Sequence, residues 1–305
     1  MDSLRDSLYL AFQIFVAPTT PPSTMAEPPG TAQTSGVQPP SPRSTLRSIW
    51  VWTSVTALII IWLPLLAVIR VFDRDPARYT TGRWFRRLGM MMTRVNPSWR
   101  LQIAGDFPAN PRNPYVVVSN HQSMADIPLL SNLPWEMKWI GKIELFRLPY
   151  IGWMMKLAGD IPVDRQDRRS GAAMLLRALR TLSLKCSVIF FPEGTRSPDG
   201  RLGKFNDGAF HLAVKAQVPL LPIALEGSYG CLPKKSWRFG PPQTILVRLL
   251  PPVPTAGLTN DDVPALRDRV RGLILNEVAS LRGVPPPQLD VLAGQESPRV
   301  PAPPQ

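Results

Sequence analysis

Two short polar segments of this chain carry side chains suited to acid–base and anion chemistry. His121 and Asp126 lie five residues apart, directly after the apolar run 115–118. The second segment, Glu193-Gly194-Thr195-Arg196, directly follows the apolar run 188–191. An imidazole oriented by a carboxylate can take a proton from a hydroxyl near neutral pH, and a guanidinium can hold a phosphate through two hydrogen bonds. Because open α/β sheets bind ligands at strand ends, we predict that a general base and an anion site meet there.

Four motifs resemble, in order, those of the 1-acylglycerol-3-phosphate O-acyltransferase family of glycerolipid acyltransferases, and the resemblance covers residues 99–250. They are His121 to Asp126; Gly141-Lys142-Ile143-Glu144-Leu145 with Pro149 and Gly152, continuing through residues 161–165; Phe191 to Ser197; and Val218 to Ile223. The chain departs from the family at one place. The family usually has Phe-Lys-x-Gly after the third motif, whereas this chain has Phe205-Asn206-Asp207-Gly208. The contacts made to phosphate at that point are therefore open.

The resemblance implies a reaction. A fatty acyl group would pass from acyl-coenzyme A or acyl carrier protein to the sn-2 hydroxyl of 1-acyl-sn-glycerol 3-phosphate (lysophosphatidate), which makes phosphatidate. His121 would act as the general base and Asp126 would hold its ring. No Gly-x-Ser-x-Gly elbow surrounds Ser123 or Ser228, which favours direct transfer without an acyl-enzyme.

The resemblance also assigns binding roles. Glu193, Gly194, Thr195 and Arg196 would bind the glycerol phosphate, with Glu193 orienting Arg196 or a backbone turn. Lys142 and Arg165 match basic positions of the second motif and would add positive potential on the same face. Val218, Pro219 and Pro222 are associated with the acyl-donor side, although the same residues also fit a buried strand with prolines at its ends.

Other functions remain open. The Asn206-Asp207 departure is compatible with glycerol 3-phosphate, another lysophospholipid or a lyso-ornithine lipid as acceptor. A membrane-tethered basic module that binds acidic lipid or nucleic acid is the alternative that is not an enzyme. Such a module would have basic residues spread over one face and no need for His121. The arginines of this chain cluster instead beside the apolar segment, where membrane topology explains them, so we expect no nucleic-acid partner. With two histidines and two cysteines in the chain, we also expect no metal and no cofactor beyond the thioester co-substrate.

The N-terminal part indicates a membrane. Residues 48–69 contain no charged side chain for 22 positions, which just covers a hydrocarbon core of about 30 Å. Arginines are more numerous after this segment than before it, which predicts a cell inner-membrane protein whose catalytic domain faces the cytoplasm. Pro64 keeps an alternative open, namely a re-entrant hairpin with the amphipathic stretch 84–95. The net charge of +13 fits anionic partners, and Cys186 and Cys231 are too few for a disulfide framework.

Periodicity predicts an α/β fold with a mostly parallel central sheet flanked by helices, as in glycerolipid acyltransferases, preceded by an N-terminal membrane-embedded helix or helical hairpin. The predicted strands are 115–118, 137–140, 161–163, 188–191, 220–224 and 244–250. Helical stripes are expected at 172–182 and 266–281, and His211 is expected to be a structural residue on a further helix.

We predict a disordered Pro/Ser-rich region at 1–47, a membrane region at 48–98, an acyltransferase domain at 99–283 and a disordered Pro-rich tail at 284–305. Lys234, Lys235, Trp237 and Arg238 form a basic aromatic cluster that fits either anionic lipid or a solvated loop.

Overall fold

The structure, a computed structural model, describes residues 42–233 and 236–293. Its strands are β1 Trp99–Gly105, β2 Val116–Ser119, β3 Met137–Lys142, β4 Ile161–Val163, β5 Ser187–Phe190, β6 Leu220–Glu226 and β7 Gln243–Leu249. They form one sheet in the order β1-β7-β6-β2-β5-β3-β4. Neighbouring strands are parallel except for β6 and β7, which are antiparallel. The prediction of a mostly parallel central sheet is confirmed.

Helices cover both faces of this sheet. They are α1 Pro42–Phe72, α2 Tyr79–Arg94, α3 Asp126–Leu130, α4 Ile151–Ala158, α5 Arg168–Ser183, α6 Gly208–Ala216, α7 Val263–Arg282 and α8 Pro286–Leu289, with short 3₁₀ turns at Ile143–Arg147 and Asn260–Asp262. Side chains of α5, α6 and α7 pack on one face of β2, β5 and β6. Residues of α3 and the loop after it pack on the other face. The central strands read as continuous apolar runs because both of their faces are buried.

The six predicted strands all occur, with ends that differ by up to two residues. Strand β1 was not predicted. It alternates intermediate and exposed residues at the sheet edge, so it lacks the apolar run that marks the buried strands. It is held by parallel pairing with β7 along its whole length. His211 lies exposed on α6, outside the candidate site.

The N-terminal helices form a hairpin. Helix α1 has 31 residues and is, among the residues described, the one helix long and apolar enough to cross a membrane, which indicates membrane association. It continues through Pro64 without a break. Near its start Val51 packs with Phe239, and near its end Leu66 packs with Leu88 of α2 and Met154 of α4. The opposite side of α1 stays exposed, as at Ile61 and Phe72.

Two predicted boundaries are wrong. Helix α1 begins at Pro42, so residues 42–47 are helical rather than disordered; proline is tolerated in the first turn because its missing N–H has no helical partner there. Residues 284–293 are also ordered, since Leu289 is buried in the core and Asp290 pairs with Arg271 of α7. The remaining predicted disorder, at 1–41 and 294–305, and the side chains of Lys234 and Lys235 lie outside the described residues.

Candidate active site

The polar segments singled out in the sequence meet at one edge of the sheet. Strands β2, β5, β3 and β4 are consecutive and parallel, so their carboxyl ends lie side by side. His121 follows β2, and the segment Glu193 to Arg196 follows β5. Lys142 ends β3, and Arg165 comes two residues after β4. This is the edge at which open α/β sheets bind ligands.

His121 and Asp126 form the central pair of the site. The His121 Nδ1 atom lies 2.7 Å from Asp126 Oδ2. A carboxylate oxygen accepts hydrogen bonds and does not donate them, so Nδ1 carries the hydrogen and Nε2 is the atom available to accept a proton. The side chain of His121 is 12% exposed, whereas that of Asp126 is fully buried. The imidazole therefore reaches the surface of the site while its carboxylate partner is shielded from water.

The turn from β2 into α3 places Asp126 under the imidazole. Asp126 Oδ2 also accepts the backbone N–H groups of Gln122 at 2.7 Å and Ser123 at 2.9 Å. The other oxygen, Oδ1, accepts the hydroxyl of Ser228 at 2.5 Å. These bonds satisfy a buried carboxylate that would otherwise be costly and fix the direction in which it faces His121.

A second contact fixes the plane of the imidazole. The rings of His121 and Phe191 are stacked, with centroids 4.0 Å apart and planes inclined by 14°. Phe191 is the first residue after β5 and comes from the third motif. The ring of the candidate base thus rests on the strand end that leads into the candidate anion site.

Glu193 links the two strand-end loops. Its Oε1 accepts the backbone N–H of His121 at 2.8 Å, and its Oε2 accepts the N–H of Gly203 at 3.0 Å. The Ser197 N–H in turn donates to the His121 carbonyl at 2.8 Å. Burial raises the pKa of Glu193 to about 7, and the charge of Asp126 acts in the same direction, against the two N–H donors. Both carboxylate oxygens of Glu193 are thus bonded to backbone N–H groups of the two loops.

The rest of the segment offers groups suited to an anion. Gly194 has a φ of +73°, a conformation that side chains rarely adopt, and a Cβ there would lie 3.1 Å from Asn206 Nδ2. The turn exposes Thr195 and leaves Arg196 partly buried. Burial lowers the pKa of Arg196 and the Asp126 charge opposes that shift, so the guanidinium lies within electrostatic reach of the His121–Asp126 pair.

Lys142 and Arg165 lie at the same edge but farther along it. Both are exposed. Neighbouring protein atoms partly desolvate the Arg165 guanidinium, which lowers its pKa, and the charge of Glu144 raises it. Within the described residues, no hydrogen bond or ion pair joins either side chain to the loops that carry His121 and Glu193. Their contribution to binding stays a prediction, as a positive potential along the sheet edge.

The fourth motif lies away from this edge. The Pro219 carbonyl accepts the N–H of Val116 at the amino end of β2, and Pro222 pairs with Val118 inside the sheet. Leu220, the first residue of β6, pairs with Val116, so at about 3.3 Å per residue the start of β6 lies roughly 10 Å along the strands from Ser119, the last residue of β2. Val218, Pro219 and Pro222 therefore build the sheet, and the arrangement brings none of them to His121. A donor-side role for them stays untested.

The departure from the family pattern has a structural consequence. Asn206 donates from both its backbone N–H, at 2.9 Å, and its side-chain Nδ2, at 2.8 Å, to the Pro192 carbonyl. Asp207 pairs with Arg267 of α7 at 2.8 Å. Asn206 thus stabilises the third motif through Pro192, and Asp207 is paired with α7. Neither residue presents a cation to a phosphate.

Two residues with a positioning role were not predicted. The side chain of Asn120 bonds both the N–H and the carbonyl of Leu225 at 2.8 Å, which ties the end of β2 to β6. Ser228 lies just after β6 and reaches Asp126 across that connection. Strand-end position was an available signal for Ser228, because it follows an apolar run as His121 and Glu193 do. Among the described residues, no group of three or more His, Cys, Asp or Glu side chains is arranged to hold a metal ion.

Comparisons with known proteins agree with the motifs. A family model described as Acyltransferase matches residues 100–226. Human 1-acyl-sn-glycerol-3-phosphate acyltransferase alpha is 39% identical over 221 residues, which cover 70% of this chain and 76% of the human protein. A chloroplastic 1-acyl-sn-glycerol-3-phosphate acyltransferase of Arabidopsis thaliana is 38% identical over 197 residues, 63% of this chain and 55% of the plant protein. The crystal structure of the 1-acyl-sn-glycerophosphate acyltransferase PlsC from Thermotoga maritima superposes with a TM-score of 0.67 at 26% identity, covering 79% of this chain and 96% of that chain.

Proposed function

We propose a reaction for this chain, which belongs to the 1-acyl-sn-glycerol-3-phosphate acyltransferase family. It acylates the sn-2 hydroxyl of 1-acyl-sn-glycerol 3-phosphate and releases phosphatidate. The donor is the thioester of acyl-coenzyme A or acyl carrier protein. The observation that carries the proposal is the 2.7 Å bond between His121 Nδ1 and Asp126 Oδ2, at the sheet edge that also bears Arg196.

In the proposed mechanism His121 moves the proton. Its Nε2 accepts the hydroxyl hydrogen as the acceptor oxygen attacks the thioester carbonyl carbon, and the tetrahedral intermediate then loses the thiolate as the C–S bond breaks. The imidazolium returns its proton to sulfur, so that the products are ester and free thiol. Asp126 stabilises the imidazolium, and its bonds to two backbone N–H groups and Ser228 hold it ready for that charge. The reaction needs no metal and no cofactor besides the thioester.

Arg196 binds the phosphate of the acceptor in this proposal. A guanidinium donates two parallel hydrogen bonds to a phosphate. Gly194, two residues before Arg196, has a positive φ and no side chain, which leaves the backbone accessible there. Lys142 and Arg165 add positive potential from the neighbouring strand ends. Glu193 positions the site by holding the backbone of His121.

The acceptor is a lipid, so we place the α1–α2 hairpin in the bilayer and let the acceptor approach laterally. Helix α1 is held against the domain both near its start, by Val51, and near its end, by Leu66. A helix fixed to the domain over this length lies along it, which supports the re-entrant arrangement over a complete span. The arginines after α1 support a location in the inner membrane of the cell, with the catalytic domain on the cytoplasmic side.

The test compares the detergent-solubilised wild type with His121→Ala, supplied with lysophosphatidate and a long-chain acyl-coenzyme A. His211→Ala is the matched control, because it removes the other histidine of the chain from an exposed position on α6. We expect one free thiol per phosphatidate in the wild type and the control, and a loss of at least about 100-fold in His121→Ala.

Two outcomes would contradict parts of the proposal. A wild type that makes no phosphatidate from any thioester donor would remove this acceptor and bring forward glycerol 3-phosphate, other lysophospholipids and lyso-ornithine lipids. Full activity in His121→Ala would reject the mechanism whatever the acceptor.

A further inference from the structure

A cationic cavity lies beside β4, the last strand of the sheet. Its volume is about 480 Å³. Among its lining residues, Lys138 belongs to the amino-terminal half of β3, Asp160 precedes β4 and Leu184 precedes β5. The cavity also borders Ile143 and Phe146, which follow β3, but none of His121, Asp126, Glu193 and Arg196 lines it. The cavity is therefore a separate place on the molecule, and the acyl-transfer reaction gives it no role.

Four cations from three elements face this cavity. They are Arg78, just before α2; Lys156, near the end of α4; and Arg177 and Arg180, one turn apart on α5. Within the described residues, no salt bridge joins any of them to a carboxylate. The cavity's one acidic lining residue, Asp160, is already bound by Arg86 through both oxygens at 2.7 Å. Asp73 acts electrostatically on Arg78, but its single charge leaves the positive charge of the four cations in excess, and such a concavity attracts an anion.

The buried lysine of the wall does not alter this balance. Lys138 Nζ donates to Glu136 at 2.9 Å, to the Ala158 carbonyl at 2.8 Å and to the Arg78 carbonyl at 3.1 Å. An ammonium group has three hydrogens, so these bonds use all of them. The cations that can turn to a ligand are the four at the rim.

Arg78 is held in an unusual backbone conformation. Its φ is +50°, in the left-handed region that residues with a side chain rarely adopt. Its guanidinium crosses to α4 and donates to the Lys156 carbonyl at 2.6 Å, and its Cδ lies beside Gly159. The fold therefore keeps a strained residue whose side chain brings a cation to the rim of the cavity. Strain of this kind is found at ligand sites, where the surroundings hold it in place.

The remaining walls include apolar side chains, and the exposed end of α1 precedes the Pro76–Ala77 wall of the cavity in the chain. Phe146, Ile161 and Leu184 contribute to the lining. Val71 and Phe72, at the end of α1 and shortly before the Pro76–Ala77 wall, are 79% and 77% exposed. An apolar surface next to a cationic concavity matches a molecule with a phosphate head and hydrocarbon tails.

We infer that this cavity binds the phosphate of an anionic phospholipid from the bilayer, at a site distinct from the acyl-transfer site. The rim cations hold the phosphate, the apolar walls accommodate the glycerol and the first methylene groups, and the tails lie along Val71 and Phe72. Two cations of the rim come from α5 and one from the α1–α2 connection, so a bound lipid joins the hairpin to the catalytic domain.

The test is calorimetric titration of the full chain in neutral detergent with short-chain phosphatidylglycerol, phosphatidylcholine or inorganic phosphate. The variant Arg177→Gln/Arg180→Gln removes two rim charges from an exposed helix face and keeps good helix formers there. The matched control, Arg168→Gln/Arg169→Gln, makes the same charge change on the same helix outside the cavity. We expect tight binding of phosphatidylglycerol, weakened by about 10-fold or more in the rim variant and by less than about 2-fold in the control.

Each other outcome overturns the inference. Equal loss in the rim variant and the control would mean that only the net charge matters. Equal affinity for phosphatidylcholine would exclude recognition of the anion, and inorganic phosphate binding as tightly as the lipid would exclude a lipid ligand. Thermal melting of both double variants establishes that they are folded when they are titrated.

Discussion

The hydroxyl of Ser228 lies 2.5 Å from Asp126 Oδ1, although 102 residues separate them in the chain. Asp126 Oδ2 faces the His121 imidazole, so Ser228 holds the carboxylate from the side opposite to the base. Both Ser228 and Asp126 are completely buried. Ser228 thus positions Asp126, and in the proposed mechanism it acts on the reaction through that carboxylate.

Ser228→Ala should lower kcat about 10-fold and leave KM for both substrates nearly unchanged. A hydrogen bond to a charged group is worth about 1.5–3 kcal/mol, and this one orients the group that stabilises the imidazolium. Steady-state kinetics on the purified variant measures the effect. Ser187→Ala is the control, because it removes another fully buried serine hydroxyl, at the amino end of β5. An equal fall in kcat in both variants would indicate general loosening of the fold.

Arg196→Lys should raise KM for lysophosphatidate roughly 10- to 100-fold, with little change in KM for the acyl donor. Lysine keeps the charge and loses the planar pair of donors that a phosphate accepts. Arg201→Lys is the matched control, since Arg201 lies in the same loop and pairs at the surface with Asp199. If KM for the donor rises instead, Arg196 serves the thioester rather than the acceptor.

Glu193 should make the stability of the protein fall with rising pH. Burial raises the pKa of its carboxyl from 4.5 to about 7. A carboxyl with a higher pKa in the folded state binds more protons there, so its contribution is fully present below about pH 4.5 and is lost as the pH rises to about 7. Urea unfolding at a series of pH values should show that Glu193→Gln flattens this slope, by about 1–3 kcal/mol across the window. Identical slopes in the two proteins would disprove an elevated pKa.

Lys138→Met should destabilise the fold by about 3 kcal/mol, because it leaves the fully buried carboxylate of Glu136 without its 2.9 Å partner. Adding Glu136→Gln should recover part of the loss, since the buried charge is then removed as well. The free energies of unfolding of the two variants and the wild type test this. A double variant less stable than Lys138→Met would show that Arg86 alone is a sufficient partner for Glu136.

The buried strands and the His121–Asp126 pair were predictable because their signals are local. Continuous apolar runs mark strands covered on both faces, and a histidine with a carboxylate five residues on can close a single turn. Strand β1 has half-exposed residues and owes its existence to a partner more than a hundred residues away. Ser228 follows an apolar run, but its bond to Asp126 was not predicted, because that bond depends on the pairing of β2 with β6.

Residues 284–293 were wrongly predicted to be disordered, because their composition resembles that of disordered segments. Prolines dominate residues 285–287, yet Leu289 fills a core position and Asp290 meets the buried Arg271. The loops that carry His121 and Glu193 were predicted to be neighbours. The hydrogen bonds from Glu193 and Ser197 to the backbone of His121 were not predicted. A carboxylate that binds main-chain N–H groups leaves no pattern in the sequence.

The order in which the site residues occur along the chain has a consequence for biosynthesis. Strand β2 pairs with β5 and β6, so the stack of Phe191 on His121 and the bond from Ser228 to Asp126 require segments made well after the base itself. The apolar α1, by contrast, precedes all of them. A nascent chain therefore completes its most apolar helix while the site around His121 is still incomplete. That site can form in full only after residue 228 has left the ribosome.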